Sequence, residues 1–177
     1  MQQVTETQFE QLLKPVFPEL VRYARAMAGS AVDGDDLLQD ALLQAWRRMS
    51  SLRNPDSFKF WLLKIIRNTS ISRERKRRFK NLLGLDAAER VQSIEPLSFE
   101  DKELVRTALA KVPHDQRHAL ILYEVLGMSV KEISRQSGIG ESAVKSRLSR
   151  GRKRLRSEVE ALTNEETGHE QALAESC

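Results

Sequence analysis

Apolar residues recur at helical spacing along most of the chain. Over residues 7–28 they are Phe9, Leu12, Leu13, Val16, Leu20, Tyr23, Ala24 and Met27, the i, i+3, i+4 pattern of an amphipathic helix. Pro15 and Pro18 break this stretch into a short first segment and a longer helix. Gly29 and Ser30 end it, and Asp33 then offers an N-cap, with Asp35 and Asp36 in the first turn, where the helix dipole favours anions. From there to about Ser50 the stripe is Leu37, Leu38, Ala41, Leu42, Ala45, Trp46 and Met49. The segment SSLRNPD reads as a loop, and from Ser57 a third helix carries Phe58, Trp61, Leu62, Ile65 and Ile66 before running into RERKRRFK.

The periodicity lapses over residues 81–97, which contain Gly84, Pro96 and more acid than base, so this segment is expected to be a flexible linker. It returns near Ser98 with Leu104, Val105, Ala108, Leu109 and Val112. Pro113 separates these from a helix containing Ala119, Leu120, Leu122, Tyr123 and Val125, which Gly127 closes. Helices over 129–137 and about 141–160 follow, and the acidic end from about Thr163 is expected to be disordered. No stretch alternates like a strand. The expectation is an all-α chain of two small helical domains, residues 1–80 and 98–160, joined by the linker and followed by a tail, 161–177.

Composition agrees with long helices: Gly and Pro together are 13 of 177 residues, below the usual share of about 12%. The longest stretch without a charged residue, Ala26 to Val32, has seven residues, far short of the roughly 20 that span a bilayer. The start, MQQVTETQFEQ, has neither the basic nor the apolar region of a signal peptide. The one cysteine, Cys177, can form no internal disulfide, so a cytoplasmic location is expected, without membrane insertion.

Charge changes the picture more. Net charge is only +4, yet residues 67–80 and 145–156 hold 14 of the 29 Lys and Arg. Residues 157–177 hold six Glu and neither Lys nor Arg. Two concentrated basic segments in a near-neutral chain are the footprint of a polyanion, most often nucleic acid, although a charge run by itself is more often a solvated helix face.

The second basic segment belongs to a recognisable unit. Ser129 and Glu132 fit a capping box, Gly138-Ile139-Gly140 a tight turn, and Val144, Leu148, Leu155 and Val159 a buried stripe. The opposite face presents Ser142, Lys145, Ser146, Ser149, Arg152 and Lys153. Two short helices about a Gly turn, the second strongly basic, predict a DNA-binding helix-turn-helix rather than a plain αα-corner. In the first half, Asp36, Gln39, Asp40, Leu43 and Arg47 form a second face on the helix 33–50, with an exposed Leu in an acidic rim that suggests a protein partner, although by itself such a pattern is more often a solvated face. Further on, Phe58, Phe60 and Trp61 interleave with Lys59, Lys64 and Arg67, a mixture suited to single-stranded nucleic acid. Phe58 and Trp61 equally fit a core stripe, whereas Phe60 falls off it. His114 and His118 mimic a zinc-protease pair, but Asp115 replaces the general-base Glu and no third ligand is in sight. Neither a metal nor another cofactor is expected.

The runs DDLLQDALLQAWRR, FKFWLLKIIRNTSISRERKRR, VPHDQRHALILYEVLGMSVKEIS and GIGESAVKSRLSRGRKRLR, in this order and spacing, closely resemble bacterial RNA polymerase sigma factors of the extracytoplasmic-function (ECF) group, over about residues 9–157. The resemblance implies that residues 9–80 are sigma region 2. Within it Asp36, Gln39, Asp40 and Leu43 would bind core RNA polymerase, and Asn54, Phe60, Trp61, Lys64 and Arg67 the opened minus-ten element. It implies that residues 98–160 are region 4, with Ser142, Lys145, Ser146, Arg147, Ser149, Arg150 and Arg152 on the minus-thirty-five element of promoter DNA. The linker would pass through the RNA exit channel, and an anti-sigma factor is a common further partner in the family. Gly140 and Ala143 depart from the family's usual Ser or Pro and Thr, so the helix start lacks those hydroxyls. Two other readings stand beside this one. One is a dimeric helix-turn-helix regulator, which would bind operator DNA without polymerase. The other is a nucleic-acid enzyme, for which the sequence has no carboxylate cluster, phosphate-binding Gly loop or paired nucleophile, and no small-molecule substrate is implied.

Overall fold

The computed structural model describes residues 6–82 and 100–174, which form helices joined by short turns, with no strand among them. The chain divides into two compact units, Met1–Ile94 and Glu95–Cys177.

The first unit contains α1 (Glu6–Leu13), α2 (Phe17–Ala28), α3 (Ala31–Arg47) and α4 (Phe58–Leu82). Pro15 lies between α1 and α2, and Pro18 sits in the first turn of α2, where its missing N–H costs nothing. Ser30, rather than Asp33, is the N-cap of α3: its Oγ accepts the Asp33 N–H at 3.1 Å, and Asp33 stands at the third helical position. The hydroxyl satisfies a first-turn donor, so the helix begins three residues earlier than expected. It also ends at Arg47, with a 3₁₀ turn at Met49–Ser51.

Leu20, Tyr23, Met27, Leu37, Leu62 and Ile66 close the core between α2, α3 and α4. Phe9 pins α1 against it, meeting Trp46 of α3 and Phe58 of α4 edge-on, with centroids 5.5 and 5.6 Å away. Gly34 marks the tightest approach of α2 and α3: a Cβ there would stand 2.4 Å from Arg25 Cα. Beside it the Arg25 guanidinium grips Asp35 through Nε and Nη2, both at 2.8 Å. That hydrogen-bonded pair holds the Asp35 carboxyl below the usual aspartate range.

The second unit contains α5 (Glu100–Lys111), α6 (His114–Leu120), α7 (Val130–Ser137) and α8 (Glu141–Ala174). The helix α6 continues into a π turn at Ile121–Val125, closed by a Leu126 N–H to Ile121 carbonyl bond of 3.1 Å. The capping box at Ser129 and Glu132 is complete in both directions. Gly138 ends α7 at φ 68°, a left-handed conformation that glycine adopts without strain. Where α8 crosses α6, Gly151 lies against Leu120 and Gln116, and a Cβ there would come within 3.0 Å of Leu120 Cδ1.

The final helix is much longer than expected. It runs 34 residues to Ala174, through the segment read from sequence as a disordered tail. Glu, Gln, Ala and Leu all favour helix, and Gly168 is the one residue of that stretch with a strong opposing preference. The expected linker, 81–97, lies outside the described residues from position 83 onward.

Candidate polymerase and nucleic-acid interfaces

Three surfaces follow from this packing. The first is the outer face of α3. Burying Leu37, Leu38, Ala41 and Ala45 turns Asp36, Gln39, Asp40 and Leu43 outward, and Leu43 is 57% exposed. All four residues named from sequence therefore share one surface. Asp40 has a second engagement that local pattern could not reveal. Arg73 of α4 donates to it through Nε at 3.0 Å and also reaches the Asp36 carbonyl at 3.0 Å, tying α4 to this face.

The second surface is the start of α4 and the loop before it. Phe60, Lys64 and Arg67 follow one another at i, i+4, i+7; Phe60 is 38% exposed, Lys64 is exposed and Arg67 is half-buried. Trp61 turns the other way, half-buried beside Phe58 with centroids 5.9 Å apart, so most of its ring belongs to the aromatic cluster. Asn54 is exposed, but its side chain accepts the Asp56 N–H at 2.9 Å and caps the 3₁₀ turn Pro55–Ser57. Lys59 is ion-paired with Glu19 of α2. Of the five residues named, the structure brings three together as an aromatic and cationic stripe.

The third surface is α8. Val144, Leu148 and Gly151 are buried, which places Ser142, Lys145, Ser146, Ser149, Arg150 and Lys153 on the exposed side. Two of the named arginines are tied to acids of other segments. Arg147 flanks the buried stripe and donates to Asp115 of α6 at 3.0 Å, so it closes the unit rather than standing on the outward face. Arg152 lies at the opposite margin, bonded to Glu124 through Nε at 3.0 Å and Nη2 at 2.7 Å, with its Cζ 5.3 Å from the Tyr123 ring centroid. The Glu124 hydrogen bond raises the guanidinium pKa above its already high value. Sequence gave no signal for these pairs, because their partners lie 32 and 28 residues away.

The two histidines build no metal centre in the described residues. His118 is buried and its Nε2 lies 3.2 Å from Gln136 Oε1, and no group of three or more His, Cys, Asp or Glu converges among the described residues.

Comparison with known proteins places the chain in a family. Residues 12–80 match the model of Sigma-70 region 2, and residues 102–155 that of Sigma-70, region 4. The ECF RNA polymerase sigma factor SigM of Mycobacterium tuberculosis is 32% identical over 151 residues, covering 83% of this chain and 74% of SigM. The chain belongs to the ECF sigma factors. The ECF RNA polymerase sigma factor EcfG of Rhodopseudomonas palustris is 34% identical over 143 residues, 78% of this chain and 77% of EcfG. Among solved structures, the sigma factor RpoE of Bartonella quintana, in complex with the anti-sigma factor NepR, aligns with a TM-score of 0.71 at 32% identity, covering 87% of this sigma factor and 98% of RpoE. CnrH, solved with the cytosolic domain of CnrY, aligns at 0.62 with 25% identity, covering 89% and 90%. Sigma factors are regulators that give transcription initiation its promoter specificity. No described helix of this one is long and apolar enough to cross a membrane.

Proposed function

We propose that this ECF sigma factor divides its work between the two units. Residues 1–80 act as region 2: the outer face of α3 docks on core RNA polymerase, and Phe60, Lys64 and Arg67 capture the opened minus-ten strand and assist melting. Residues 98–160 act as region 4, with Ser142, Lys145, Ser146, Ser149 and Arg150 of α8 entering the major groove at the minus-thirty-five element. Residues 81–97 link the two, and the last helix runs on to Ala174. The protein works by binding rather than by catalysis, in the cytoplasm where promoter and polymerase meet. RpoE, solved in complex with the anti-sigma factor NepR, supports an anti-sigma factor as a further partner.

The exposed polar and basic face of α8 behind a capped helix-turn-helix carries this reading. Short hydroxyl side chains near the start of the helix reach base edges, while Lys and Arg meet phosphates. The test is transcription by holoenzyme from matched duplex and pre-melted bubble templates, with permanganate footprinting. Lys145→Ala is expected to weaken closed-complex formation, by roughly 1–3 kcal/mol if Lys145 reads a base, and to matter less on the bubble. Phe60→Ala is expected to leave initial binding near normal, impair melting and be partly rescued by the bubble. Equal failure of both variants on both templates refutes the division of labour. Tight, specific duplex binding by the chain alone, unchanged by core polymerase, would favour the operator-binding regulator.

A further inference from the structure

Arg152 follows Lys145 by seven residues, about two helical turns, and so lies on the same side of α8. Both groups that hold it, Glu124 and Tyr123, come from the π turn after α6. A guanidinium has five N–H donors in a planar fork. Glu124 engages the Nε edge and one Nη2 hydrogen, leaving the Nη1 hydrogens outside the pair. About half of each side chain is exposed, 51% for Arg152 and 50% for Glu124, so a phosphate can approach. An exposed ion pair adds little to stability, and its main effect here is on orientation. A long side chain that is already held surrenders less rotamer freedom when it binds.

We infer that Glu124, together with Tyr123, is a positioning residue for promoter binding, fixing Arg152 as a preset clamp for a backbone phosphate at the margin of the recognition helix. The inference rests on the reading of α8 as the duplex-binding helix. It predicts a sign opposite to charge counting. Glu124 places a negative charge beside a DNA-binding face, so by long-range electrostatics alone its removal should tighten binding. As a positioning residue, its removal loosens binding, because Arg152 then has to be ordered by the DNA itself.

The experiment uses full-length protein with core polymerase on a promoter duplex mapped by run-off transcription, measuring closed-complex affinity across a salt series. Arg152→Ala is expected to weaken binding and lower the salt slope by about one. Glu124→Ala is expected to weaken binding roughly threefold, the scale of one exposed charged contact. In the Arg152→Ala background the same change should cost nothing or tighten binding. Glu124→Gln keeps one acceptor oxygen and should fall between; it also supplies the reading if circular dichroism shows that Glu124→Ala has lost helix. Unchanged or tighter binding by Glu124→Ala and Glu124→Gln, while Lys145→Ala and Arg152→Ala both weaken it, overturns the inference alone. If neither Lys145→Ala nor Arg152→Ala alters binding, the reading of α8 fails and takes the inference with it.

Discussion

Replacing Gly34 with Ala tests how α3 is held against α2. The added Cβ would meet Arg25 Cα at 2.4 Å and Arg25 N at 2.7 Å, both backbone atoms of α2. Ordinary contact begins at 3.4 Å, so the helices must part by about 1 Å at this point. A gap of about that size forfeits a quarter to a half of the dispersion energy across the parted surface, which includes Leu20, Met27 and Leu37. Overpacking of this kind costs roughly 1–3 kcal/mol. The intrinsic helix preference of Ala over Gly returns about 1 kcal/mol. A net loss of about 1–2 kcal/mol follows, at the upper end because backbone rather than a rotatable side chain is in the way. Gly151→Ala is the control: its nearest neighbours are the side-chain atoms of Leu120, which can turn aside, and its stability should stay within about 1 kcal/mol of wild type. The assay is urea denaturation followed by tryptophan fluorescence. Trp46 and Trp61, the only tryptophans, both lie in the first unit, so the signal reports that unit alone, and the control needs circular dichroism. A Gly34→Ala protein as stable as wild type would show that α2 and α3 do not approach as closely as described.

Two further outcomes follow from the ion pairs. Asp36→Lys is expected to weaken association with core polymerase in a pull-down while helix content stays intact; Asp40→Lys should do the same and also cost the first unit about 0.2–1 kcal/mol, because it replaces the partner of Arg73 with a like charge. Loss of helicity in step with binding for Asp36→Lys would make that residue structural. Asp35, whose pKa is lowered by Arg25, stabilises the first unit above the ordinary aspartate value of about 3.9 and loses that contribution as pH falls through its lower folded value. Because the pair is nearly half exposed, Asp35→Asn should cost no more than about 1 kcal/mol near pH 7, and the difference from wild type should disappear on acidification through that range. A difference that persists unchanged in acid would assign the effect to something other than the ion pair.

What could be read from sequence was what short-range physics writes into it. The 3.6-residue stripes located the buried faces of α2, α3 and α4, and the Ser129–Glu132 box with Gly138 located the turn, because each signal lies within one or two helical turns. The start of α3 was missed since Ser30 and Asp33 are both good caps, and only the Ser30 hydroxyl bond decides between them. Gly34 and Gly151 gave no signal because a glycine at a helix crossing looks like any other until the neighbouring helix is in place. The π turn is equally silent in the apolar run ILYEV. On α8, composition marked a basic helix but could not show that Arg147 and Arg152, both named from sequence, are held by acids from distant segments.

The length of α8 has a consequence of its own. At 1.5 Å per residue, its 34 residues make a rod of about 50 Å. Its amino-terminal part holds seven Lys and Arg between 145 and 156, and five Glu follow between 157 and 174 with neither Lys nor Arg among them. A continuous helix cannot bend its acidic end onto its basic one, so the two charges stay separated along one axis. In the field of a DNA duplex such a rod feels a torque: the amino-terminal end is drawn inward and the far end turned away. The last helix would thus behave as a compass needle, favouring encounters in which its basic end arrives first. Low salt would sharpen that alignment, since the screening length approaches the length of the rod only when ionic strength falls to about 0.01 M or below.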